Sequence, residues 1–387
     1  MKNYNTIISE RQDRGEVITP ENLIKEMLDK LPQEIFESKT TTFLDPCFGT
    51  GSFLKAIGLR LKKYGHSTEN INSRLFGFEV DSRMFNETKC KFNGITINKQ
   101  DFLNTDINMK FDVIVGNPPY QKDKHSSQKL WKSFLINAIE KHANKNGIIS
   151  FVIPTSWTKP VRSTVRGEDK KLSEVVRNNT IIDYNLDVNE YFNVGIDIST
   201  ICIKKDGISN DFVFLHNDKI GSSILKKLID SNYDKLNLTH YANTPWNRGI
   251  VRKKTQSSVY PVKLIEGRDK FSYCAEDDLI LRNKHKIHIP RVFGFNFIPD
   301  AGECGLGYQA ECILLEDNEI LESAMSFFES KLIKVILKNI KWIPQADYSV
   351  LEMLPRLDYT IRYTDLDLYS IFNLTQEEIN YIENAVK

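Results

Sequence analysis

The sequence predicts an α/β fold, a doubly wound sheet of seven strands with a second, α+β domain behind it, and three observations carry that expectation. Between Lys25 and Lys204, short runs rich in β-branched and aromatic residues alternate with segments of helical character, the order of a mostly parallel sheet with helices on both faces. Past about Ser231 the alternation gives way to irregular, aromatic- and turn-rich sequence. At 387 residues the chain also exceeds what one hydrophobic core usually organises.

Strands are expected at Thr41–Leu44, Leu75–Glu79, Ile95–Asn98, Phe111–Val115, Gly147–Ile153, Ile181–Leu186 and Ile198–Lys204. Helices are expected at Glu21–Leu31, Ser52–Tyr64, Ser82–Asn93, Ser126–His142 and Glu168–Asn178, in the positions of crossover connections. A boundary near Ser231–Asn243 divides the chain into domains 1–235 and 236–387. Beyond it the clearest element is an amphipathic helix from about Leu321 to Ile340.

Composition is that of a folded protein, with 41% hydrophobic and 27% charged residues, which argues against disorder or a fibrous class. Met1 to Arg14 is polar and lacks the apolar core of a signal peptide, and no stretch approaches about 18 uninterrupted apolar residues, so a cytoplasmic protein with no membrane partner is expected. The six cysteines include no CxxC pair, so neither a zinc site nor a disulfide framework is expected. Net charge is only +1, but Tyr241 to Asp300 holds eleven Lys/Arg against six Asp/Glu. That strip suits phosphate contact, or is an ordinary solvated face.

Chemistry concentrates at the ends of the expected strands. Phe43-Leu44-Asp45-Pro46-Cys47-Phe48-Gly49-Thr50-Gly51-Ser52-Phe53 reads as a strand, a glycine turn and a helix start. Glycines let the backbone approach a ligand, and a strand-end acid can bind an amino or hydroxyl group. The spacing departs from GxGxxG, which favours a cofactor without phosphate; alone, the turn is also a plain connection. Glu79 ends the next strand, where an acid can accept from ribose hydroxyls. Asp101-Phe102 follows the third, where a carboxylate and a phenyl ring could hold an adenine. The most specific string is Phe111-Asp112-Val113-Ile114-Val115-Gly116 running into Asn117-Pro118-Pro119-Tyr120. Two prolines fix the backbone and remove two donors, leaving carbonyl oxygens beside the Asn117 amide oxygen. Such a site binds an amine, and Tyr120 offers a face to a planar base.

In this order the strings resemble the amino-group DNA methyltransferases, and among them the gamma arrangement of Taq-type adenine-N6 methyltransferases of restriction-modification systems. The resemblance spans about residues 15 to 205. It implies a Rossmann-like methyltransferase sheet, S-adenosylmethionine as cofactor, a target adenine flipped out of double-stranded DNA, a C-terminal target-recognition domain and a separate cognate restriction endonuclease as partner. It further implies that Val17-Ile18-Thr19-Pro20 closes over the methionine moiety, with Thr19 and Pro20 in contact. Asp45, Pro46, Gly49 and Gly51 would hold the amino-acid end, Glu79 the ribose, and Asp101 and Phe102 the adenine. Asn117, Pro118, Pro119 and Tyr120 would form the active site, with Asn117 also bordering the cofactor. Gly147 to Pro154 with Trp157 resembles the family's next strand motif, and Tyr191-Phe192-Asn193-Val194 the aromatic motif whose ring, Phe192, stacks on the extruded base.

Three other readings accompany this one. An Asn-Pro-Pro-Tyr turn also occurs in methyltransferases of RNA bases and of protein glutamine, and a DNA-binding relative could have kept the fold without the chemistry. Pro299-Asp300 with Glu329-Ser330-Lys331 formally matches a PD…ExK nuclease pattern, although Glu329 and Lys331 fall on an expected helix. Phe328-Glu329-Ser330-Lys331, Trp342-Ile343-Pro344 and Leu354-Pro355 look like recognition-domain sequence of such methylases.

Overall fold

The structure is a computed structural model that describes residues 18–105, 109–121, 129–158, 166–192, 196–209, 219–239, 253–267, 270–275, 281–290, 296–307, 310–317, 320–338 and 350–386. The chain forms two compact units, Met1–Phe212 and Val213–Lys387.

The first unit is built on seven strands: β1 (Phe43–Asp45), β2 (Leu75–Glu79), β3 (Thr96–Lys99), β4 (Phe111–Gly116), β5 (Ala143–Pro154), β6 (Thr180–Asn185) and β7 (Ile198–Lys204). Their order in the sheet is β3-β2-β1-β4-β5-β7-β6. The pairs from β3 through to β5 are parallel, whereas β7 runs antiparallel between β5 and β6. β1 is buried along its whole length and β4 nearly so, as expected of central parallel strands covered on both faces. Asp112 locks these two strands in register: its carboxylate accepts from the Thr42 N–H at 2.9 Å and the Thr42 hydroxyl at 3.0 Å, and from the Asn144 amide at 2.7 Å.

The helices are α1 (Glu21–Asp29), α2 (Glu34–Glu37), α3 (Ser52–Lys63), α4 (Thr68–Asn72), α5 (Ser82–Lys89), α6 (Leu130–Asn137) and α7 (Glu168–Arg177). α1 buries Leu23, Ile24, Met27 and Leu28, and α3 buries Phe53, Leu54, Ile57 and Leu61, each a single helical stripe turned to the core. The short α2 and α4 have too few residues to show such a stripe in sequence. The expected start of the sixth helix at Ser126 lies outside the described residues. Its end is a π-turn, Ala138–His142, that runs straight into β5.

In the second unit, β10 (Lys286–Pro290) pairs antiparallel with β11 (Ile298–Asp300) and β13 (Ala310–Leu314). A second sheet joins β8 (Val262–Gly267) to β9 (Lys270–Cys274) and β12 (Gly305–Leu306). The helices α8 (Lys219–Ile229), α9 (Leu321–Phe328), α10 (Lys331–Lys338), α11 (Asp365–Ile371) and α12 (Gln376–Ala385) complete it. Ile224, Leu225 and Leu228 of α8 lie in one core with Phe327, Ile333, Leu351 and Leu368. The unit boundary therefore precedes α8, some way before the expected 235/236 division, because the apolar face of that helix is covered from the C-terminal side.

The single helix expected over Leu321–Ile340 is broken at Glu329-Ser330. The Ser330 hydroxyl accepts from the Ile333 N–H at 3.2 Å and the Asp365 carboxylate takes the Lys331 N–H at 2.8 Å, so a new helix starts there. Residues 339 and 340, and Trp342-Ile343-Pro344, lie outside the described residues. Among the described residues, no helix is long and apolar enough to cross a membrane.

The nuclease pattern is not assembled. Asp300 is committed to Lys286 at 2.6 Å and His288 at 3.1 Å, whereas Lys331 pairs with Glu383. That same Lys286 belongs to the basic strip of Tyr241 to Asp300 but is fully buried. Lys263, also in the strip, stands over the Phe271 ring at 3.8 Å. The strip is thus not a uniform outward face, and much of its first third lies outside the described residues.

Candidate active site

In a doubly wound sheet, ligands bind outside the carboxyl ends of the strands, at the point where the strand order reverses. Here that point lies between β1 and β4, and both strands end in the residues singled out above.

After β1 the chain makes a tight turn. Gly49 (φ +48°) and Gly51 (φ +79°) occupy the left-handed region, and the Gly51 N–H donates to the Phe48 carbonyl at 2.6 Å. A side chain at Gly51 is excluded twice, since a Cβ there would also lie 2.2 Å from the Phe92 ring. Glu79, at the end of the neighbouring β2, accepts the Gly49 N–H at 2.9 Å through one oxygen and the Asp81 N–H at 2.8 Å through the other. Asp81 in turn caps α5 by accepting from the Arg83 and Met84 N–H groups.

Asp45 is 2% exposed and accepts the Cys47 N–H at 3.1 Å. Burial pushes its pKa up to about 8; the Cys47 hydrogen bond opposes the shift and the nearby charge of Glu79 adds to it. The Cys47 thiol is likewise pushed well up, first by burial and then by the charges of Asp45 and Glu79, so it stays protonated and donates to the Asn117 carbonyl at 3.4 Å.

The β4 end meets this turn directly. A Cβ on Gly116 would stand 3.0 Å from Asp45 Oδ1, 3.4 Å from Pro46 Cδ and 3.7 Å from Cys47 Sγ, so Gly116 is the contact that lets the two loops touch. Asn117 follows, with Pro118 buried and Pro119 half-buried. Tyr120 is 7% exposed. Burial raises its hydroxyl pKa.

Thr19 is buried and Pro20 caps α1 in an extended conformation. The ion pair of Glu21 with Lys55, at 3.6 Å, sets the start of α1 beside the first turns of α3, the helix that opens at Gly51. Further along α1, Glu26 accepts from the Tyr191 hydroxyl at 2.7 Å. Tyr191 closes a 3-10 turn, Asn189–Tyr191, that is followed by Phe192. The Asn189 side chain ties this turn to the start of β7 through Asp197 and the Ile198 N–H. Because β7 is antiparallel, with Ile198 opposite Pro154 of β5, half-buried Phe192 stands at the same edge of the sheet as Asn117. Asn193 and Val194 lie outside the described residues.

Asp101 and Phe102 are placed differently from the others. Asp101 accepts from the Leu103 N–H and the Asn104 amide, holding its own loop. Phe102 is 1% exposed, its ring stacked on Phe134 at 5.3 Å and tilted against His142 at 4.6 Å. Its ring packs against α6 and the π-turn. Gly116 and Cys47, in contrast, were given no role in sequence, although a glycine directly before the Asn-Pro-Pro-Tyr turn is a signal of close approach.

A glycine turn with strand-end acids and the Asn-Pro-Pro-Tyr turn lie side by side at the switch point of a 3-2-1-4-5-7-6 sheet, a Rossmann-like α/β fold. Residues 50–192 match the model of the Eco57I restriction-modification methylase family. The Type II methyltransferase M.CvrRI of Paramecium bursaria Chlorella virus XZ-6E is 31% identical over 158 residues, 38% of this chain and 38% of its own. The Type II methyltransferase M.VspI of Vibrio sp. (strain 343) is 30% identical over 177 residues, 40% of this chain and 41% of its own. The chain thus spans about two fifths of the length of these curated relatives. The methyltransferase subunit of a type I restriction-modification system from Streptococcus thermophilus overlays on 50% of this chain and 45% of its own, at a TM-score of 0.38 and 21% identity.

Proposed function

We propose that the protein is a site-specific DNA methyltransferase that transfers a methyl group from S-adenosylmethionine to the exocyclic N6 amine of an adenine flipped out of double-stranded DNA. The observation that carries this reading is the shared wall of the two turns, in which Gly116 lies against Asp45 and Pro46, and the Cys47 thiol holds the Asn117 carbonyl. A donor held by the first turn is thereby adjacent to an amine held by the second. Two buried carboxylates beside a glycine turn suit a ligand that bears an ammonium group and hydroxyls rather than phosphates. Asp45 and the turn Gly49–Gly51 would hold the amino-acid end and Glu79 the ribose, with Asp101 toward the adenine and Thr19-Pro20 over the methionine. When bound, S-adenosylmethionine supplies a methyl group on a positively charged sulfur.

The chain's own residues prepare the amine. The Asn117 amide oxygen and the Pro118 carbonyl each accept one amino hydrogen, which withdraws the nitrogen lone pair from conjugation and directs it at the methyl group. Tyr120 and Phe192 enclose the base, and their contact offsets the cost of unstacking it. A restriction endonuclease of the same specificity is the partner such an enzyme guards against.

Asp45 makes the cofactor step pH-dependent. With its pKa near 8 the carboxyl is neutral at pH 6, and an ammonium group binds the ionised form. Cofactor affinity should therefore rise with pH, by at most about tenfold per unit, to a maximum near pH 8, above which the ammonium group itself loses its proton. The sign for stability is the reverse: a carboxyl whose folded pKa is raised favours the fold below its unfolded pKa, and that advantage is lost as pH rises toward 8. Calorimetric titration from pH 6 to 9 tests the first statement. Asp45→Asn should bind more weakly and flatten the profile, and a wild-type profile without slope would remove Asp45 from the cofactor site.

Phe192→Ala should lose base stacking of about 1–3 kcal/mol and slow duplex methylation without loss of cofactor affinity. A target adenine that faces a mismatch is easier to open, so the variant should recover part of its rate there. Equal mutant-to-wild-type rate ratios on paired and mismatched duplexes would exclude a stacking role, and lost cofactor affinity would make the residue part of the core.

A further inference from the structure

We propose that Thr88 is a positioning residue for the cofactor, one that acts by clamping the glycine turn rather than by touching the ligand. The inference rests on the cofactor reading above and deepens it. Thr88 is 1% exposed on α5, and its hydroxyl donates to the Gly49 carbonyl at 3.0 Å. The Gly49 N–H is taken from the other side by Glu79 at 2.9 Å. Both backbone polar groups of one left-handed glycine are thus held by the next strand and helix, β2 and α5, whose junction is itself fixed by the Asp81 cap. The Phe92 ring, three residues beyond α5, closes over Gly51.

A glycine turn left to itself samples many backbone states, and a ligand that needs one of them loses affinity to the ordering. The Thr88–Gly49–Glu79 clamp removes that loss before binding. It also explains a buried hydroxyl on a helix face that otherwise carries Met84 to the core. Because the clamp acts on the turn and not on Asn117, its removal should weaken cofactor binding while the rate at saturating cofactor is kept.

The test compares Thr88→Val, which keeps the volume and removes the hydroxyl, with Thr88→Ser, which keeps the donor. Calorimetry with S-adenosylmethionine should show binding about tenfold weaker in Thr88→Val, the effect of one lost hydrogen bond, and near wild type in Thr88→Ser. The rate on duplex DNA at saturating cofactor should stay within about twofold of wild type in both. Val175→Ala on α7, a buried truncation distant in sequence from the turn, should lower Tm and leave cofactor affinity unchanged. Hydrogen exchange of the wild-type protein without cofactor adds a readout that needs no variant, and the Gly49 and Gly51 amides should already be protected. Unchanged affinity in Thr88→Val, a fall in the saturated rate equal to the fall in affinity, or freely exchanging Gly49 and Gly51 amides would each overturn the clamp. If wild-type protein does not bind S-adenosylmethionine, the cofactor reading falls and the clamp with it; if wild type binds and Thr88→Val binds equally well, only the clamp falls.

Discussion

Asn117→Ala should reduce methyl transfer by about a hundredfold to a thousandfold or more, the loss seen when one acceptor or donor aimed at the developing charge is removed. The expectation follows from position. Asn117 leaves β4 at the switch point, its carbonyl is held by the Cys47 thiol, and it stands beside the turn proposed to hold the donor. Without the amide oxygen one amino hydrogen has no acceptor, and the lone pair stays conjugated with the ring. Cofactor affinity should change little, because Asp45, Glu79 and the glycine turn are held by their own bonds to Cys47, Gly49 and Asp81. A tritium-transfer assay beside calorimetry separates the two effects. Transfer at the wild-type rate by Asn117→Ala would remove the amine-binding role of the turn.

The second large effect is expected from dividing the chain. Residues 1–212 hold the complete seven-stranded sheet and both turns, so this fragment should bind S-adenosylmethionine. It should lose about a thousandfold or more in specific DNA affinity, the usual gap between specific and non-specific binding. Cutting at 235 instead would leave α8 with its apolar face stripped of the second core, and that fragment should be less soluble. Full-length binding should also weaken steeply with salt as cations on the strip release counterions. Sequence-specific methylation by residues 1–212 alone, or salt-insensitive affinity of the full chain, would show that target reading does not reside in the second unit.

Much of the first unit was legible because parallel strands buried on both faces read as apolar runs, with Asp45, Glu79 and Asn117 standing out by residue type at or just beyond their carboxyl ends. What was not legible depends on partners distant in sequence. The antiparallel insertion of β7 is a matter of pairing with β5, and the run Ile198–Lys204 reads the same in either direction. α8 has one apolar face whichever unit covers it. The break at Ser330 is set by Asp365, on another helix. Lys286 reads as a surface cation until Asp300 is found beside it. Thr88 gave no signal, since a threonine on a polar helix is ordinary and its importance lies in the one carbonyl it reaches.

Adenine methylation in DNA is tested most directly by methylation-sensitive sequencing of genomic DNA from methylation-free cells that express the chain. We expect N6-methyladenine at one short sequence motif, present with wild-type protein and absent with Asn117→Ala. DNA unmodified by a folded protein that binds S-adenosylmethionine would point to an RNA or protein amine as substrate, and modified cytosine would contradict adenine as the target base.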